Sequence, residues 1–265
     1  MRVCSIASGS SGNCIFAGSE HTSVLFDAGI SGKKTEAGLN AIGMTGSDLD
    51  AIFITHEHSD HIRGLGVLAR KFHVPVYSTE KTRDAILTGG NVGKIPGELF
   101  RTVEADAVTK IGDLDILPFH ISHDAADPVG YRIACGRKNA AIATDMGMYD
   151  DYTISHLQNL DVLFIEANHD VRMLEAGRYP YPLKRRILSE RGHLSNEDSG
   201  RLLGEILHDH MKHIFRSHLS KENNYPALAF ETVSAEVTMG DNPYRAADFP
   251  ITVAKRDEVS DEITF

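Results

Sequence analysis

The sequence predicts an α/β (α+β) fold in which two β-sheets pack face to face and helices cover their outer sides. Short strand-like segments rich in apolar residues open the chain, and strands and helices alternate through its second half. No linker, low-complexity tract or short repeat interrupts this pattern. We therefore expect a single domain over residues 1–265, which is long enough to bury a full core.

The first half is predicted to be mainly β-structure. Its strands are predicted at residues 3–6, 14–17, 24–27, 51–54, 74–77, 114–121, 131–135 and 140–143. Helices are predicted at residues 33–42, 62–72 and 80–87. His61 is therefore expected at the N-terminus of the helix over residues 62–72.

The second half is predicted to alternate between the two kinds of element. Strands are predicted at residues 162–166, 213–217 and 251–254, and helices at residues 152–158, 181–188, 195–207 and 223–233. The helix over residues 195–207 has the clearest start, because Ser195 and Asp198 form a capping pattern. An acidic tail is expected after the last strand.

Charge and cysteine content narrow the function classes. The net charge of −10 argues against a protein that coats nucleic acid through its overall charge, although a local basic groove stays possible. Cys4, Cys14 and Cys135 are odd in number and scattered, which favours reduced, buried thiols in the cytoplasm. The N-terminus has no signal-peptide core, and no apolar run approaches the roughly 18 residues of a membrane span.

The most informative segment is Thr-His-Glu-His-Ser-Asp-His at residues 55–61, directly after the apolar strand over residues 51–54. It places His56, His58 and His61 beside the carboxylate of Asp60. Histidine is the commonest protein ligand for zinc, and aspartate supplies the harder oxygen donor that a second metal would need. The pattern predicts a metal site, against the alternative of a solvated loop that happens to be rich in histidine.

Three more candidates for ligands follow predicted strands. His123 comes after the strand over residues 114–121, Asp145 after the strand over residues 140–143, and His218 after the strand over residues 213–217. Alone, Asp145 would be interpreted as a turn residue before glycine, and His218 as a polar residue at a helix entry. His120 should point to the opposite face of its strand from the site.

A basic segment precedes another candidate, His193, which stands just before the capped helix. Helix N-termini favour phosphate, and a histidine there can donate a proton to a leaving alkoxide. Lys184, Arg185, Arg186 and Arg191 form the densest basic patch of an acidic chain and suit a phosphate backbone. The alternatives are a histidine that only caps the helix and a solvated basic helix face.

The histidine segment resembles the His-x-His-x-Asp-His motif of the metallo-β-lactamase superfamily. The resemblance implies a four-layer αββα sandwich with two divalent metal ions at one edge of the sheets. By family match, the ligands of one metal are His56, His58 and His123, those of the other are Asp60, His61 and His218, and Asp145 bridges the two. Asp27 resembles a residue that orients the histidine loop without binding metal.

Nearly the full length resembles the YycJ (WalJ) family of bacterial metallo-β-lactamase-fold proteins. The resemblance rests on the segments at residues 7–13, 55–61, 122–131, 166–170, 192–196 and 217–224. It implies a nuclease, with 5′→3′ exonuclease action on double-stranded DNA. The segment that begins with His193 resembles a motif of the tRNA 3′-processing RNase Z branch, and Glu166-Ala167 resembles a Glu-Ala segment upstream of that motif. We expect Glu166 and His193 to form a proton-handling pair.

The sequence therefore predicts a cytoplasmic di-metal phosphodiesterase whose substrate is nucleic acid, with DNA expected. The resemblance implies in-line attack by a metal-bridging hydroxide, oriented by Asp60 and assisted by His193 at the leaving group. Zinc, manganese and iron all suit the nitrogen-rich ligands. Two alternatives stay open, namely a thioesterase of the glyoxalase II type and a non-catalytic scaffold stabilised by metal.

Overall fold

The computed structural model describes all 265 residues, and they form two compact units. Unit 1 comprises Met1–His120, Ala125–Arg137 and Lys255–Phe265. Unit 2 comprises Ile121–Asp124 and Lys138–Ala254. No helix in either unit is long and apolar enough to cross a lipid bilayer.

Unit 1 is built mainly from β-strands. They are β1 (Arg2–Ala7), β2 (Cys14–Gly18), β3 (Ser23–Phe26), β4 (Ala51–Phe53), β5 (Val76–Ser78), β6 (Phe100–Thr102), β7 (Thr109–Ile111), β8 (Leu114–His120), β9 (Val129–Cys135) and β14 (Ile263–Thr264). Its helices are α1 (Gly32–Ala41), α2 (Ser59–Ile62), α3 (Leu65–Phe72) and α4 (Glu80–Gly89). One mixed sheet has the order β14-β1-β2-β3-β4-β5-β6, and β7, β8 and β9 form an antiparallel meander.

The meander packs on a face of the mixed sheet within unit 1. The Tyr131 ring of β9 lies 5.2 Å from the ring of Phe26 and 5.5 Å from that of Phe53. Its hydroxyl donates a 2.7 Å hydrogen bond to the carbonyl of Ile54, and all four residues are buried. The backbone NH of Val129 also donates to the carbonyl oxygen of Thr55. Strand β9 therefore fixes the end of β4, where the histidine segment begins.

Unit 2 has four parallel strands and five α-helices. The strands are β10 (Lys138–Ala143), β11 (Val162–Glu166), β12 (His213–Ser217) and β13 (Ile251–Val253), paired in this order. The helices are α5 (Asp151–Leu157), α6 (Val171–Ala176), α7 (Tyr181–Ile187), α8 (Asn196–Ile206) and α9 (Pro226–Met239). Every residue of β11 and β12 is buried, which is typical of parallel strands covered on both faces.

The first residues of two helices in unit 2 are explained by residue types that favour a helix start. The Ser195 hydroxyl accepts a 3.0 Å hydrogen bond from the backbone NH of Asp198, so the predicted start of α8 is confirmed. Helix α9 begins at Pro226, which has no NH to leave unpaired in the first turn. It continues to Met239, beyond the predicted end at residue 233, because Val237 adds a further buried turn.

The prediction of one helix over residues 62–72 is wrong. The segment forms the one-turn helix α2 and the separate helix α3, so His61 lies within α2 and not at the start of a long helix. Gly64 separates them, and its NH donates to the carbonyl of Ala28 at 2.7 Å. A Cβ there would lie 2.2 Å from the Ile30 carbonyl oxygen, so only glycine permits this close approach.

The chain end and one helix also differ from the prediction. The expected acidic tail includes β14, which adds to the edge of β1 through the pairs Arg2–Thr264 and Val3–Ile263. Helix α6 was not predicted, and the Asp170 side chain caps it by accepting from the backbone NH of Met173. Both elements are short, so the apolar periodicity that reveals longer elements is missing from them.

We expect Tyr131→Phe to lower the free energy of unfolding by about 1–2 kcal/mol, because the substitution removes the donor to a buried carbonyl and keeps the ring packing. Urea denaturation followed by circular dichroism measures the change. Tyr181→Phe is the matched control, since the Tyr181 side chain is 72% exposed. Equal unfolding midpoints for wild type and Tyr131→Phe would contradict the role given to this hydroxyl.

Candidate functional site

The histidine segment of unit 1 leaves β4 and turns into α2, which brings its rings together. The ring centroids of His56 and His58 are 4.6 Å apart, and those of His56 and His61 are 4.1 Å apart. Nε2 of His61 lies 3.7 Å from a carboxylate oxygen of Asp60. His56 and His61 are fully buried, whereas His58 and Asp60 are partly exposed. The four predicted ligands of this segment thus form one cluster.

Asp27 fixes this cluster from the end of β3. Its carboxylate accepts hydrogen bonds from Nδ1 of His61 at 2.7 Å and from the backbone NH of Thr55 at 2.9 Å. The Thr55 hydroxyl donates its one proton to the same carboxylate. Since this hydroxyl has no second proton, it accepts the 3.0 Å hydrogen bond that Nδ1 of His56 donates. Both imidazoles therefore carry their proton on Nδ1, and their lone pair is on Nε2.

Asn13 is a site residue that the analysis of single motifs missed. Its side-chain amide lies 3.1 Å from Nε2 of His61, and its backbone NH donates to the carbonyl of Asp60 at 2.8 Å. The Asn13 side-chain oxygen accepts from the NH of Gly9, which closes the small-residue turn. The signal was present in the motif at residues 7–13, but its position against the histidine segment depends on the strand pairing of β1, β2 and β3.

In unit 2, three candidate residues gather where β10, β11 and β12 end. The parallel register pairs Glu166 with Ser217, so the side chains that follow these strands lie at one edge. Asp145 and His218 each follow a strand with positive φ, 62° and 58°. Aspartate and histidine tolerate this left-handed conformation better than bulky residues do, and such strain clusters at functional sites.

Glu166 is the central group of the unit 2 cluster. One of its oxygens accepts from Nδ1 of His193 and from Nδ1 of His218, each at 2.8 Å. The other accepts from the backbone NH groups of Met146 and Leu194. Burial alone would raise the pKa of Glu166, but the positive charge that the His193 and His218 rings carry when protonated, together with their hydrogen bonds, outweighs burial and holds that pKa well below its usual range.

His123 is oriented by the segment that leads from α7 to α8. Its Nδ1 lies 3.0 Å from the carbonyl of Gly192, and a carbonyl can only accept, so Nδ1 carries the proton. The guanidinium of Arg191 donates to the His123 carbonyl at 3.1 and 3.2 Å. Arg186 forms a two-point ion pair with Asp124. His123 Nε2 lies 3.8 Å from an oxygen of Asp145.

The donor set of each unit fits divalent metal ions. Five imidazoles give their Nδ1 proton to a fixed oxygen and keep the Nε2 lone pair: His56, His61, His123, His193 and His218. In unit 2, possible ligand atoms of Asp145, Glu166, His193 and His218 all lie within 4.8 Å of one another. Glu166 is already saturated by four donors, so it suits an orienting role better than coordination.

Two other histidines differ in their surroundings. His120 is exposed and its Nδ1 lies 3.8 Å from a carboxylate oxygen of Asp127. His169 is 1% exposed, and neither of its ring nitrogens has a hydrogen-bond partner. Burial lowers the pKa of His169 to about 4, so the imidazole is neutral at pH 7.

Comparison with known proteins identifies a matching family and relatives that are similar over most of the chain. Residues 22–235 match the family described as Beta-lactamase superfamily domain. Exodeoxyribonuclease YycJ of Bacillus anthracis is 42% identical over 229 residues, which are 86% of this chain and 86% of the relative. Exodeoxyribonuclease WalJ of Streptococcus pneumoniae is 43% identical over 236 residues, which are 89% of this chain and 88% of the relative.

Structural comparison agrees on the fold. The metallo-beta-lactamase fold protein YhfI of Bacillus subtilis superposes with a TM-score of 0.70 at 18% identity, covering 99% of each chain. The predicted α/β fold class, that of the metallo-β-lactamase sandwich, is therefore confirmed. A hydroxyacylglutathione hydrolase of Bdellovibrio bacteriovorus is 51% identical over only 39 residues, or 15% of this chain.

His169 makes stability depend on pH in a defined direction. The unfolded chain binds this proton near pH 6.5 and the folded chain near pH 4, so stability is complete above pH 6.5 and falls as pH drops through this window. At about 1.4 kcal/mol per pKa unit, the loss by pH 4.5 is roughly 2–3 kcal/mol. The free energy of unfolding is measured with urea at pH 7 and at pH 4.5. Between these two pH values, wild type should lose more stability than His169→Leu, and the difference should be roughly the 2–3 kcal/mol given above. The exposed His210→Leu is the control, and equal losses in all three proteins would contradict the assignment.

Proposed function

Because the chain belongs to the β-lactamase superfamily, and within it to the family of the YycJ and WalJ exodeoxyribonucleases, we propose that it is a metal-dependent phosphodiesterase that degrades DNA. We further propose that residues 1–265 act as one domain that holds two divalent metal ions. The proposed ligands are His56, His58, Asp60, His61, His123, Asp145 and His218.

The shared tautomer of the imidazoles is the observation that carries the metal proposal. In four of the five proposed histidine ligands, Nδ1 donates to an oxygen and Nε2 keeps its lone pair, which is the form that metal ligands require. Bound divalent ions supply charge stabilisation and lower the pKa of a coordinated water to provide the nucleophile. With the ions bound, the partly exposed carboxylate of Asp60 would orient that water.

His193 is proposed to handle the proton at the leaving oxygen. Its Nδ1 donates to the ionised carboxylate of Glu166, which fixes the ring and directs Nε2 away from that bond. A buried carboxylate that orients an imidazole in this way supports proton transfer by the other ring nitrogen. His193 is 16% exposed by its side chain, so a substrate can reach it.

The exodeoxyribonuclease relatives favour DNA over other phosphodiesters, and we propose the cytoplasm as the site of action. A thioesterase of the glyoxalase II type is the less favoured alternative, because the corresponding relative matches only a short segment. A scaffold without catalysis is also less favoured, since the donors and the Glu166–His193 pair are all present.

We expect the wild type to release nucleotides from end-labelled DNA in the presence of Mn²⁺ or Zn²⁺, and His58→Ala or Asp60→Ala to abolish this activity without unfolding the chain. Single- and double-stranded DNA and RNA are digested across a panel of divalent ions, with circular dichroism as the folding check. His210→Ala is the matched control for the loss of a histidine.

Full activity in both variants would refute the metal site. Turnover of S-lactoylglutathione, with none of bis-p-nitrophenyl phosphate, would establish the thioesterase instead. Binding of DNA without turnover under every ion would establish the scaffold.

A second experiment distinguishes the role of Glu166 from that of His193. Glu166→Gln removes the group that orients both His193 and His218, so metal affinity falls by about 10- to 100-fold and turnover falls with it. His193→Ala lowers turnover by about 10²- to 10⁴-fold while metal content stays at the wild-type level. Metal analysis and rates on bis-p-nitrophenyl phosphate measure both quantities, and Glu205→Gln on the exposed side of α8 is the control. Loss of metal from His193→Ala would make His193 a ligand.

A further inference from the structure

The segment over residues 171–191 of unit 2 is basic in an acidic chain. It has six basic and two acidic side chains, which is a net charge of +4, whereas the whole chain has −10. The segment contains α6 and α7 and leads directly to His193. The backbone NH of His193 donates to the carbonyl of Ile187, the last residue of α7, at 3.0 Å. Helix α7 is therefore fixed next to the proposed proton donor.

The basic side chains of this segment fall into two groups. Three of them are engaged with protein groups: Lys184 donates to the Glu175 carbonyl at 2.6 Å, Arg186 pairs with Asp124, and Arg191 donates to the His123 carbonyl. The Lys184 contact attaches α7 to α6, whereas Arg186 and Arg191 attach α7 and the segment after it to the loop Ile121–Asp124, called the His123 loop.

The second group consists of Arg172, Arg178 and Arg185. All three are exposed, and none of their side chains forms a hydrogen bond or an ion pair with the protein. An arginine without a carboxylate partner keeps all five donors available for a phosphate.

The outer face of α7 combines one free arginine with exposed apolar groups. Tyr181, Arg185 and Leu188 follow one another at spacings of four and three residues, which places them on one side of a helix. Tyr181 is 72% exposed and Leu188 is 44% exposed, and Ile187 faces the protein interior. We call Tyr181, Arg185 and Leu188 the outer stripe.

We propose that the outer stripe binds an unpaired segment of the DNA strand, with a base stacked on Tyr181 and the neighbouring phosphate held by Arg185. Stacking on a tyrosine ring needs the face of a base, which a paired base inside a duplex does not offer. Arg178 and Arg172, which are exposed in the same basic segment, would serve further phosphates. This inference rests on the proposed function, because it names how the same site receives its substrate.

The test compares a substrate that has bases with one that has none. Steady-state kinetics are measured with the metal-loaded enzyme on a single-stranded oligodeoxynucleotide and on bis-p-nitrophenyl phosphate. We expect Tyr181→Ala to lower kcat/KM on the oligonucleotide by about 5- to 100-fold, as loss of one base–aromatic stack predicts. The rate on bis-p-nitrophenyl phosphate should stay at the wild-type level, since the outer stripe does not contact the reacting group.

The role of Arg185 is tested separately by the salt dependence of DNA binding. Removing one phosphate contact lowers the slope of log affinity against log salt by about 0.7 for single-stranded DNA. Fluorescence anisotropy with a labelled oligonucleotide in Ca²⁺ should therefore give a smaller salt slope for Arg185→Gln than for wild type. Arg201→Gln is the matched control, because Arg201 is exposed on α8 and pairs with Asp198 and Glu236.

The outcomes separate the outer stripe from the proposed function. Two results together would overturn the outer stripe without affecting the proposed phosphodiesterase. In the first, Tyr181→Ala has the kcat/KM of wild type on the oligonucleotide. In the second, Arg185→Gln has the same salt slope as the Arg201→Gln control. Equal binding of blunt duplex and single strand, reduced equally by Tyr181→Ala, would overturn the need for unpaired bases. Absence of hydrolysis of either substrate by wild type would refute the proposed function, whereas the anisotropy measurement would still test the stripe.

Discussion

The candidate site depends on fixing one proton on each imidazole. Glu166 does this for two rings at once, because one carboxylate oxygen accepts from Nδ1 of His193 and of His218. Its other oxygen is held by two backbone NH groups, so the carboxylate cannot rotate away without losing four hydrogen bonds. A fully buried carboxylate is costly unless it is paired, and here the pairing also determines which nitrogen of each ring carries a lone pair.

In unit 1, Asp27 fixes the imidazole protons as Glu166 does in unit 2. Asp27 follows β3 with φ of 61° and directs its carboxylate to His61 and to Thr55, whose hydroxyl orients His56. Asp145 and His218 occupy the same left-handed conformation after their strands. Strain of about 1–3 kcal/mol for each such residue persists only where the surrounding structure enforces it. The buried strands and the network around Asp27 and Glu166 provide that enforcement.

The sequence predicted the strands better than the turns between them. Continuous apolar runs such as residues 162–166 identify buried strands directly, whereas the break at Gly64 depends on a contact with Ile30 that lies far away in the chain. The candidate ligands could be found because histidines and aspartates follow strands. The partners that orient them, Asn13 for His61 and Glu166 for His218, depend on which strands pair, and a single sequence does not contain that information.

Charge density along the sequence did not distinguish anchors from binding groups in the basic segment. Lys184, Arg185 and Arg186 are consecutive, yet helical geometry directs them to different partners, and only Arg185 is left without one. Lys184 holds α7 to α6 and Arg186 holds it to the His123 loop, and these attachments give the free residues a defined position. A surface that binds a flexible strand gains affinity when its own groups are already ordered, because less conformational entropy is lost on binding. The anchored and the free basic residues therefore contribute to the proposed binding surface in different ways.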